Sequence, residues 1–433
     1  MPALPLLVSI ANLMLAICGL VHFVRQRRLV AIIWLLLAYF GVAILFLTIE
    51  GAFIHTQPFT LVQFDINNGE LLRFNLFALG FNLIFGLTDL GCSRWLHPFA
   101  RRRIRWNPGP RESRTIEILI RIYGSLLIVS SLLTIVMFRG SGYTDFVERN
   151  ESSWPMVFLM ASSPFIAFCT IQRRYWLALA ACLPFLLIAI QLNVRTFLLP
   201  SVITVVLVHA FREISRRKIN LRGGLARWAV TVVALVCLLL VSSRIMSLKT
   251  GKQTGIIALP DFDLVTMSPV VMAASDVTNT RTGWDSLALY HLNLINPFLR
   301  LMGVERPEIT DPPVVMARFI EGVPENWPRF YHYPSLIYAD AYLSFGYAGL
   351  WMAVYWALIL MALELILVQN MILFGVMVPY YSWHAYLLVR GATAGASVQC
   401  AYSIYFSLII AFVVARHQLL MIQPSRRPVK VRL

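Results

Sequence analysis

The sequence has little charge and few cysteines for its length. Only 13% of its 433 residues are Asp, Glu, Lys or Arg, whereas 58% are hydrophobic. The core of a soluble protein does not absorb so much apolar surface, which indicates that lipid is the solvent. The six cysteines lie in or beside apolar runs, and no two of them form a CxxC pair. The sequence therefore predicts neither a disulfide framework nor a structural zinc site.

Motifs for nucleotides and metals are also missing. The chain contains no GxxxxGK[ST], no GxGxxG and no HExxH, and its histidines do not form a ligand cluster by their spacing. We therefore expect no metal site and no cofactor. The net charge of +16 does not indicate a nucleic-acid partner, because the positive residues are confined to short loops between apolar runs.

Apolar stretches of near-spanning length recur from one end of the chain to the other. They predict an all-α polytopic integral membrane protein with about eleven transmembrane helices, because a bilayer-spanning helix needs about 20 apolar residues. The predicted spans are 4–24, 29–49, 72–92, 116–137, 154–171, 175–192, 197–211, 228–246, 335–366, 371–389 and 399–415.

Every second loop between these spans is basic, and basic loops face the cytoplasm. The predicted N-terminus is therefore outside and the C-terminus is in the cytoplasm. This divides the chain into an N-terminal bundle (1–246), a long outer loop (247–333) and a C-terminal region (334–433) of three spans and a tail. The boundary at 366–374 is the weakest, because LVQNMILFG is apolar for a loop, and the two flanking spans could be bent or miscounted.

The long outer loop contains a segment with helical spacing. In WDSLALYHLNLINPFLRLM, residues 284–302, Leu287, Tyr290, Leu294 and Phe298 recur with the period of a helix. We expect a helix that lies on the membrane surface or packs under the loop.

Arginines recur near the predicted outer ends of the spans, where they could hold a phosphate group. The guanidinium group binds phosphate through two parallel hydrogen bonds. The alternative for each residue is snorkelling towards the lipid headgroups. Arg195 stands apart because a tight hairpin holds it between two spans, where an ionisable group tends to be functional. The arginines are Arg73, Arg195, Arg281, Arg329 and Arg390.

The segment RFYHYPSLIYADAYLSFGYAGL, residues 329–350, combines ionisable and aromatic side chains at the start of an apolar run. Pro334 suits the first turn of a helix, which places His332 just outside the helix and Asp340 about two turns in. His332 could be a general base or acid, or a packed loop histidine. Asp340 could be functional or part of a structural ion pair. The tyrosines could line a sugar site or form an interfacial belt; they are Tyr331, Tyr333, Tyr338 and Tyr342.

The pattern S-L-x-Y-x-D-x-Y-x-x-F-G-x-x-G from Ser335 to Gly349 follows a long outer loop, and an arginine sits in a mid-chain hairpin. Together these features resemble the O-antigen polymerases, the Wzy-type oligosaccharide repeat-unit polymerases. That family is related to the O-antigen ligases and shares the integral-membrane glycosyltransferase architecture called GT-C. The resemblance covers the topology of the whole chain but only about twenty residues of motif.

The resemblance implies an enzyme of the bacterial inner membrane that works on its periplasmic face. Donor and acceptor are both undecaprenyl-diphosphate-linked oligosaccharides, and membrane lipid surrounds them. One glycan is moved as a block onto the other, and undecaprenyl diphosphate is released, without nucleotide or metal. The product is O-antigen or a related surface polysaccharide of lipopolysaccharide biosynthesis. Such enzymes usually work with a chain-length-regulating co-polymerase.

The resemblance also assigns roles to residues. Arg195 matches the hairpin arginine that holds the diphosphate, and Arg281 and Arg329 are implied as further contacts. His332 is the candidate base for the acceptor hydroxyl, and Asp340 would orient it or bind sugar. The ligases carry different residues where this chain has His-Tyr-Pro-Ser, so a mechanism dominated by arginines is the alternative. The predicted substrate-binding residues also include Tyr331, Tyr333, Tyr338 and Arg390.

Two other functions are consistent with the sequence. An O-antigen ligase would transfer the finished glycan to lipid A core and differs mainly in its acceptor. A transporter or flippase for lipid-linked oligosaccharides would show two pseudo-symmetric halves and charged groups at mid-membrane. The sequence indicates neither property. A non-catalytic scaffold would not need the arginines, His332 and Asp340 near the outer surface.

Overall fold

A computed structural model describes ten stretches of the chain, and nearly all of them are helical. The described residues are 3–26, 28–56, 63–100, 109–137, 154–191, 198–215, 262–305, 319–320, 335–391 and 393–420.

The helices are numbered here in chain order. In the first half they are α1 (Ala3–Gln26), α2 (Ala31–Glu50), α3 (Asn68–Ala100), α4 (Pro110–Met137), α5 (Trp154–Ala161), α6 (Pro164–Ile171), α7 (Tyr175–Ala180), α8 (Leu183–Gln191) and α9 (Leu198–Ser215). In the second half they are α10 (Phe262–Val277), α11 (Asp285–Leu301), α12 (Ile337–Phe345), a 3₁₀ turn (Gly346–Leu350), α13 (Trp351–Leu367), α14 (Met371–Val389) and α15 (Thr393–Leu420).

The protein has the helices of a multi-pass membrane protein. Seven helical segments among the described residues are long and apolar enough to cross a bilayer, and they match seven of the eleven predicted spans. Large apolar side chains such as Leu132 and Val136 are 61% and 72% exposed, as expected for helices that face lipid. The predicted spans 175–192 and 197–211 correspond to shorter apolar helices. The predicted span 228–246 lies outside the described residues.

A small β-hairpin interrupts the predicted loop between the second and third spans. Strands β1 (Phe53–Thr56) and β2 (Gln63–Ile66) pair antiparallel, with Phe53 opposite Ile66. The sequence analysis placed only a loop between these two spans. Phe64 and Ile66 are buried, and this alternation in β2 fixes one face of the hairpin against the helices.

The apolar connection near 366–374 is a true turn. Helix α14 begins directly after Asn370, whose side-chain oxygen accepts hydrogen bonds from the backbone N–H groups of Ile372 at 2.7 Å and Leu373 at 3.4 Å. An asparagine in this position satisfies N–H groups that have no partner within the helix. The two spans are therefore separate despite the hydropathy of the connection.

Helix α11 confirms the helix predicted at 284–302. Its buried positions include Leu287 and Tyr290, and it packs along α15. The Tyr405 hydroxyl of α15 donates a hydrogen bond of 2.9 Å to the carbonyl oxygen of Leu294. The structure packs this helix against the bundle, a contact that neither predicted placement, on the membrane surface or under the loop, had named.

The motif segment folds back on itself within the predicted span 335–366, one of the two spans that the sequence analysis allowed to be bent. Helix α12 runs antiparallel to α3, because the ring of Tyr338 contacts Phe81 whereas the ring of Tyr342, further along α12, contacts the earlier residue Phe77. The 3₁₀ turn ends with Leu350 beside Gly80 of α3. Helix α13 then packs along α3 in the direction opposite to that of α12. The sequence counts as one apolar run of 31 residues, but the chain reverses within it.

Two glycines explain the reversal. Gly346 has φ +62°, in the left-handed region that only glycine enters at little cost. At Gly349 a Cβ atom would collide with the carbonyl oxygen of Ala341. The F-G-x-x-G part of the motif therefore encodes a tight turn and a close backbone approach.

Candidate functional site

An ionic cluster connects α3 and α10 near the N-terminal end of α3. Asp276 forms ion pairs through one carboxylate oxygen with Arg73 and through the other with Arg281, the latter at 2.5 Å. Glu70 adds a contact of 3.3 Å to Arg73. The side chains of Arg73, Asp276 and Arg281 are 22%, 30% and 32% exposed. We call Glu70, Arg73, Asp276, Arg281 and Tyr342 the outer cluster, after the predicted location of this end of α3.

Tyr342 lies at the centre of the outer cluster. Its hydroxyl donates to Asp276 at 3.0 Å and accepts a hydrogen bond from Arg73. The guanidinium carbons of Arg73 and Arg281 lie 4.9 and 5.0 Å from the centre of its ring. A cation within about 6 Å of an aromatic ring is attracted to it. Tyr342 of α12, the helix formed by the motif segment, thus contacts both Arg73 and Arg281.

The backbone joins Arg281 to the end of the motif helix. The N–H groups of Thr282 and Gly283 donate to the carbonyl oxygens of Leu343 at 3.2 Å and Ser344 at 2.9 Å. These carbonyls belong to the last turn of α12, where no partner is available within the helix. The predicted contact residue Arg281 is therefore fixed next to the motif.

Arg390 lies by the opposite end of the motif helix. The next residue, Gly391, has φ +66°, and a Cβ atom there would collide with the carbonyl oxygen of Ser335. The guanidinium carbon of Arg390 lies 5.7 Å from the centre of the Tyr386 ring. The structure thus places Arg281 and Arg390 at the two ends of α12 and does not bring them together.

Asp340 lies between these ends, and its predicted position needs a correction. It is in the first turn of α12 and not about two turns in, because the helix begins at Ile337. A carboxylate is favourable in the first turn of a helix. Asp340 is 2% exposed, and its Oδ1 accepts a hydrogen bond of 3.2 Å from the Ser286 hydroxyl of α11.

Tyr338 is a core residue in this structure. Its side chain is 1% exposed, and its hydroxyl exchanges hydrogen bonds with the Asn82 amide at 2.9 and 3.1 Å. This position on the α3-facing side of α12 does not present the ring to a substrate. The remaining predicted site residues, Arg195, Arg329, Tyr331, His332 and Tyr333, lie outside the described residues.

A second ionic cluster lies towards the other end of α3, and the sequence analysis missed it. Arg28 donates to Asp89 Oδ1 at 3.0 Å through Nη2 and to Glu364 Oε1 at 2.8 Å through Nε. The Leu29 N–H donates to the same Glu364 oxygen at 2.9 Å. The side chains of Arg28, Asp89 and Glu364 are 13%, 0% and 6% exposed. We call these three residues the inner cluster.

Two acids of the inner cluster lie inside predicted spans, near their predicted cytoplasmic ends. Asp89 and Glu364 are single acids inside apolar runs, GLTDLGCS and MALELILV. An acid in such a run is costly unless it is paired, and that signal could have identified both residues. Burial lowers the pKa of Arg28, but the charges of Glu364 and Asp89 outweigh it and raise that pKa above its usual value.

Two hydrogen bonds between tyrosine and histidine side chains connect α11 to α14 and to α13. The Tyr290 hydroxyl is 2.5 Å from Nε2 of His384, and Nε2 of His291 is hydrogen-bonded to the Tyr355 hydroxyl. Burial lowers the pKa of His291 on α11, which favours its neutral form. Within the described stretches, no group of three or more His, Cys, Asp or Glu side chains is placed to hold a metal ion.

Comparison of the chain with protein-family models, with curated proteins and with solved structures found no match.

Proposed function

We propose that the protein is a membrane glycosyltransferase of GT-C type that polymerises undecaprenyl-diphosphate-linked oligosaccharides on the periplasmic face. The observation that carries the proposal is the bridge that Asp276 forms between Arg73 and Arg281, beside the motif helix. A carboxylate with one oxygen on each of two guanidinium groups occupies a position that suits two phosphate oxygens equally well. The partial exposure of the cluster leaves it accessible to a ligand, and the predicted topology puts it on the outer side.

In the proposed reaction, the bond between the donor sugar and its diphosphate breaks as the acceptor hydroxyl forms the new glycosidic bond. The hydroxyl proton passes to a base, for which the family resemblance suggests His332. The diphosphate leaves with a developing negative charge, and fixed cations stabilise such charge most effectively in a site that excludes water. Arg73 and Arg281 supply these cations when the diphosphate displaces Asp276, and the resemblance adds Arg195 and Arg329.

The test is polymer laddering on a gel in cells that lack their own copy of the protein. Wild type should restore long polymer, whereas Arg281→Ala and Arg73→Ala should reduce it at least tenfold at equal abundance in the membrane. Hydrogen bonds to charged groups contribute about 1.5–3 kcal/mol, which corresponds to roughly 10- to 100-fold. Arg174→Ala is the matched control, because Arg174 pairs with Glu117 outside the outer cluster.

Normal ladders from both outer-cluster variants would remove this site from the reaction. An accumulation of lipid-linked polymer that is not transferred to lipid A core, with either variant, would point to the ligase activity. Arg195→Ala, tested in the same cells, separates a diphosphate site at the predicted hairpin from one at the outer cluster.

A transporter of lipid-linked oligosaccharides is the second candidate, and the inner cluster favours it. Buried ionisable groups in a membrane protein often mark the path of an ion or proton. In this case Arg28→Gln would abolish export while leaving polymerising activity in membrane extracts unchanged. Loss of polymerisation by the outer-cluster variants in such extracts would instead support the glycosyltransferase.

A further inference from the structure

The inner cluster contains oxygen atoms that its hydrogen bonds do not use. Among the described residues, Asp89 Oδ2 and Glu364 Oε2 are buried and have no hydrogen-bond partner. The hydroxyl of Tyr381 on α14 is also buried without one in this part of the chain, and the charges of all three cluster residues act on it. Buried polar groups are nearly always hydrogen-bonded. The two carboxylate oxygens are therefore available to bind a further proton.

The charges of the cluster also do not balance. Two carboxylates share one guanidinium group, which leaves one negative charge when both acids are ionised. Among the described residues, neither Asp89 nor Glu364 forms an ion pair with a cation other than Arg28. Helix α1 presents the Phe23 ring, 5.9 Å from the Arg28 guanidinium carbon, and α14 presents the uncharged Tyr381. An unbalanced charge in a dry interior is strongly unfavourable.

We propose that the inner cluster binds one exchangeable proton, shared between Asp89 and Glu364. The proton enters from water, where an O–H bond of hydronium breaks as one forms on Oδ2 or Oε2. The cluster then carries one positive and one negative charge. The added proton turns one of the two unused carboxylate oxygens from an acceptor into a donor.

A metal ion fits these groups less well than a proton. A hard cation such as Ca²⁺ takes about six to eight oxygen ligands, whereas the described cluster offers two unused carboxylate oxygens. The site is also independent of the proposed glycosyl transfer, because Arg73 lies sixteen residues from Asp89, about 24 Å along α3. A negative result at one cluster therefore leaves the proposal for the other in place.

The proton can be observed directly by infrared spectroscopy of the purified full-length protein in lipid nanodiscs. A protonated carboxyl group has a C=O stretch that is distinct from those of carboxylates and amides and that shifts in D₂O. Wild type should show this band at neutral pH and lose it reversibly as the pH is raised. This part of the test depends on no variant.

Two isosteric variants assign the band. In Asp89→Asn or Glu364→Gln, the negative charge of the one remaining carboxylate balances the positive charge of Arg28, and no proton needs to be bound. Each single variant should therefore lose the whole band. Glu117→Gln should leave it unchanged, because Glu117 is paired with Arg174 and partly exposed. No carboxylic-acid band in wild type at neutral pH would overturn the proposal. A band that appears only after sodium is removed would show a cation site instead and would also overturn it.

Discussion

The two ends of α3 carry ionic clusters of opposite character. The outer cluster has two arginines and two acids, and the side chains of its central residues are between a fifth and a third exposed. The inner cluster has one arginine for two acids, and both acids are almost completely buried. The charges of the first balance and its side chains are partly exposed, whereas the second is buried and its charges balance only with the proposed proton.

This difference separates groups that can exchange partners from groups that cannot. Exposed ion pairs contribute little to stability, so their charges are available to a ligand. Breaking a buried pair leaves a charge without compensation, so the partners are fixed to one another. We therefore expect the outer cluster to serve binding and the inner cluster to hold α2, α3 and α13 together.

Removing the arginine of the inner cluster should have the largest effect on stability. Arg28→Gln leaves Asp89 and Glu364 buried without a cation, and we expect a loss of about 3–5 kcal/mol in the free energy of unfolding. Denaturant unfolding in lipid–detergent micelles would measure it. The control is Arg174→Gln, which breaks an ion pair with side chains 42% and 35% exposed and should cost about 0–1 kcal/mol. Equal losses from both variants would contradict the comparison.

Adding a methyl group at Gly349 should have an intermediate effect on stability. Gly349→Ala forces a Cβ atom into the backbone of Ala341, and such overpacking costs about 1–3 kcal/mol. The turn directly follows the helix that carries Tyr342, which contacts both arginines of the outer cluster, so we also expect shorter polymer in the ladder assay. Gly91→Ala in α3 is the matched control, because nothing lies within 4 Å of its added methyl group. If both alanines were equally tolerated, the close approach at Gly349 would be unimportant.

Neutralising Asp276 of the outer cluster should have the smallest effect on stability. Asp276→Asn removes a charge that is 30% exposed, and we expect a change of about 0–1 kcal/mol that salt diminishes. Thermal unfolding at low and high salt would measure it. The variant should also bind inorganic pyrophosphate more tightly, because Arg73 and Arg281 lose their shared competitor. A loss as large as that of Arg28→Gln would show that the two clusters do not differ.

The elements that could be predicted are those with local signals. Spacing alone located α11 to within a residue at each end, and the charge of alternate loops agrees with the clusters. Arg28, Asp89 and Glu364 all belong to the predicted cytoplasmic ends of their segments, and Arg73 to a predicted outer end. Helices and loops follow from hydropathy because each depends on neighbouring residues.

The clusters could not be predicted, since their members are distant in sequence. Arg28 is 61 residues from Asp89 and 336 from Glu364. Hydropathy marks each acid as unusual but does not say which cation it meets. The fold-back of the motif was missed for another reason: its apolar residues are continuous, and only the backbone angle of Gly346 and the close approach at Gly349 reverse the chain.

From the spacing of the clusters along α3 we expect the protein to be sensitive to the thickness of its bilayer. About 24 Å of helix separates them, whereas the hydrocarbon core of a typical bilayer is about 30 Å thick. Acyl chains of ordinary length therefore cover at least one cluster, unless the lipid thins around the protein. Short-chain lipids would bring headgroups and water to both ends of α3, so lipid composition would adjust the charge state of one cluster and the accessibility of the other.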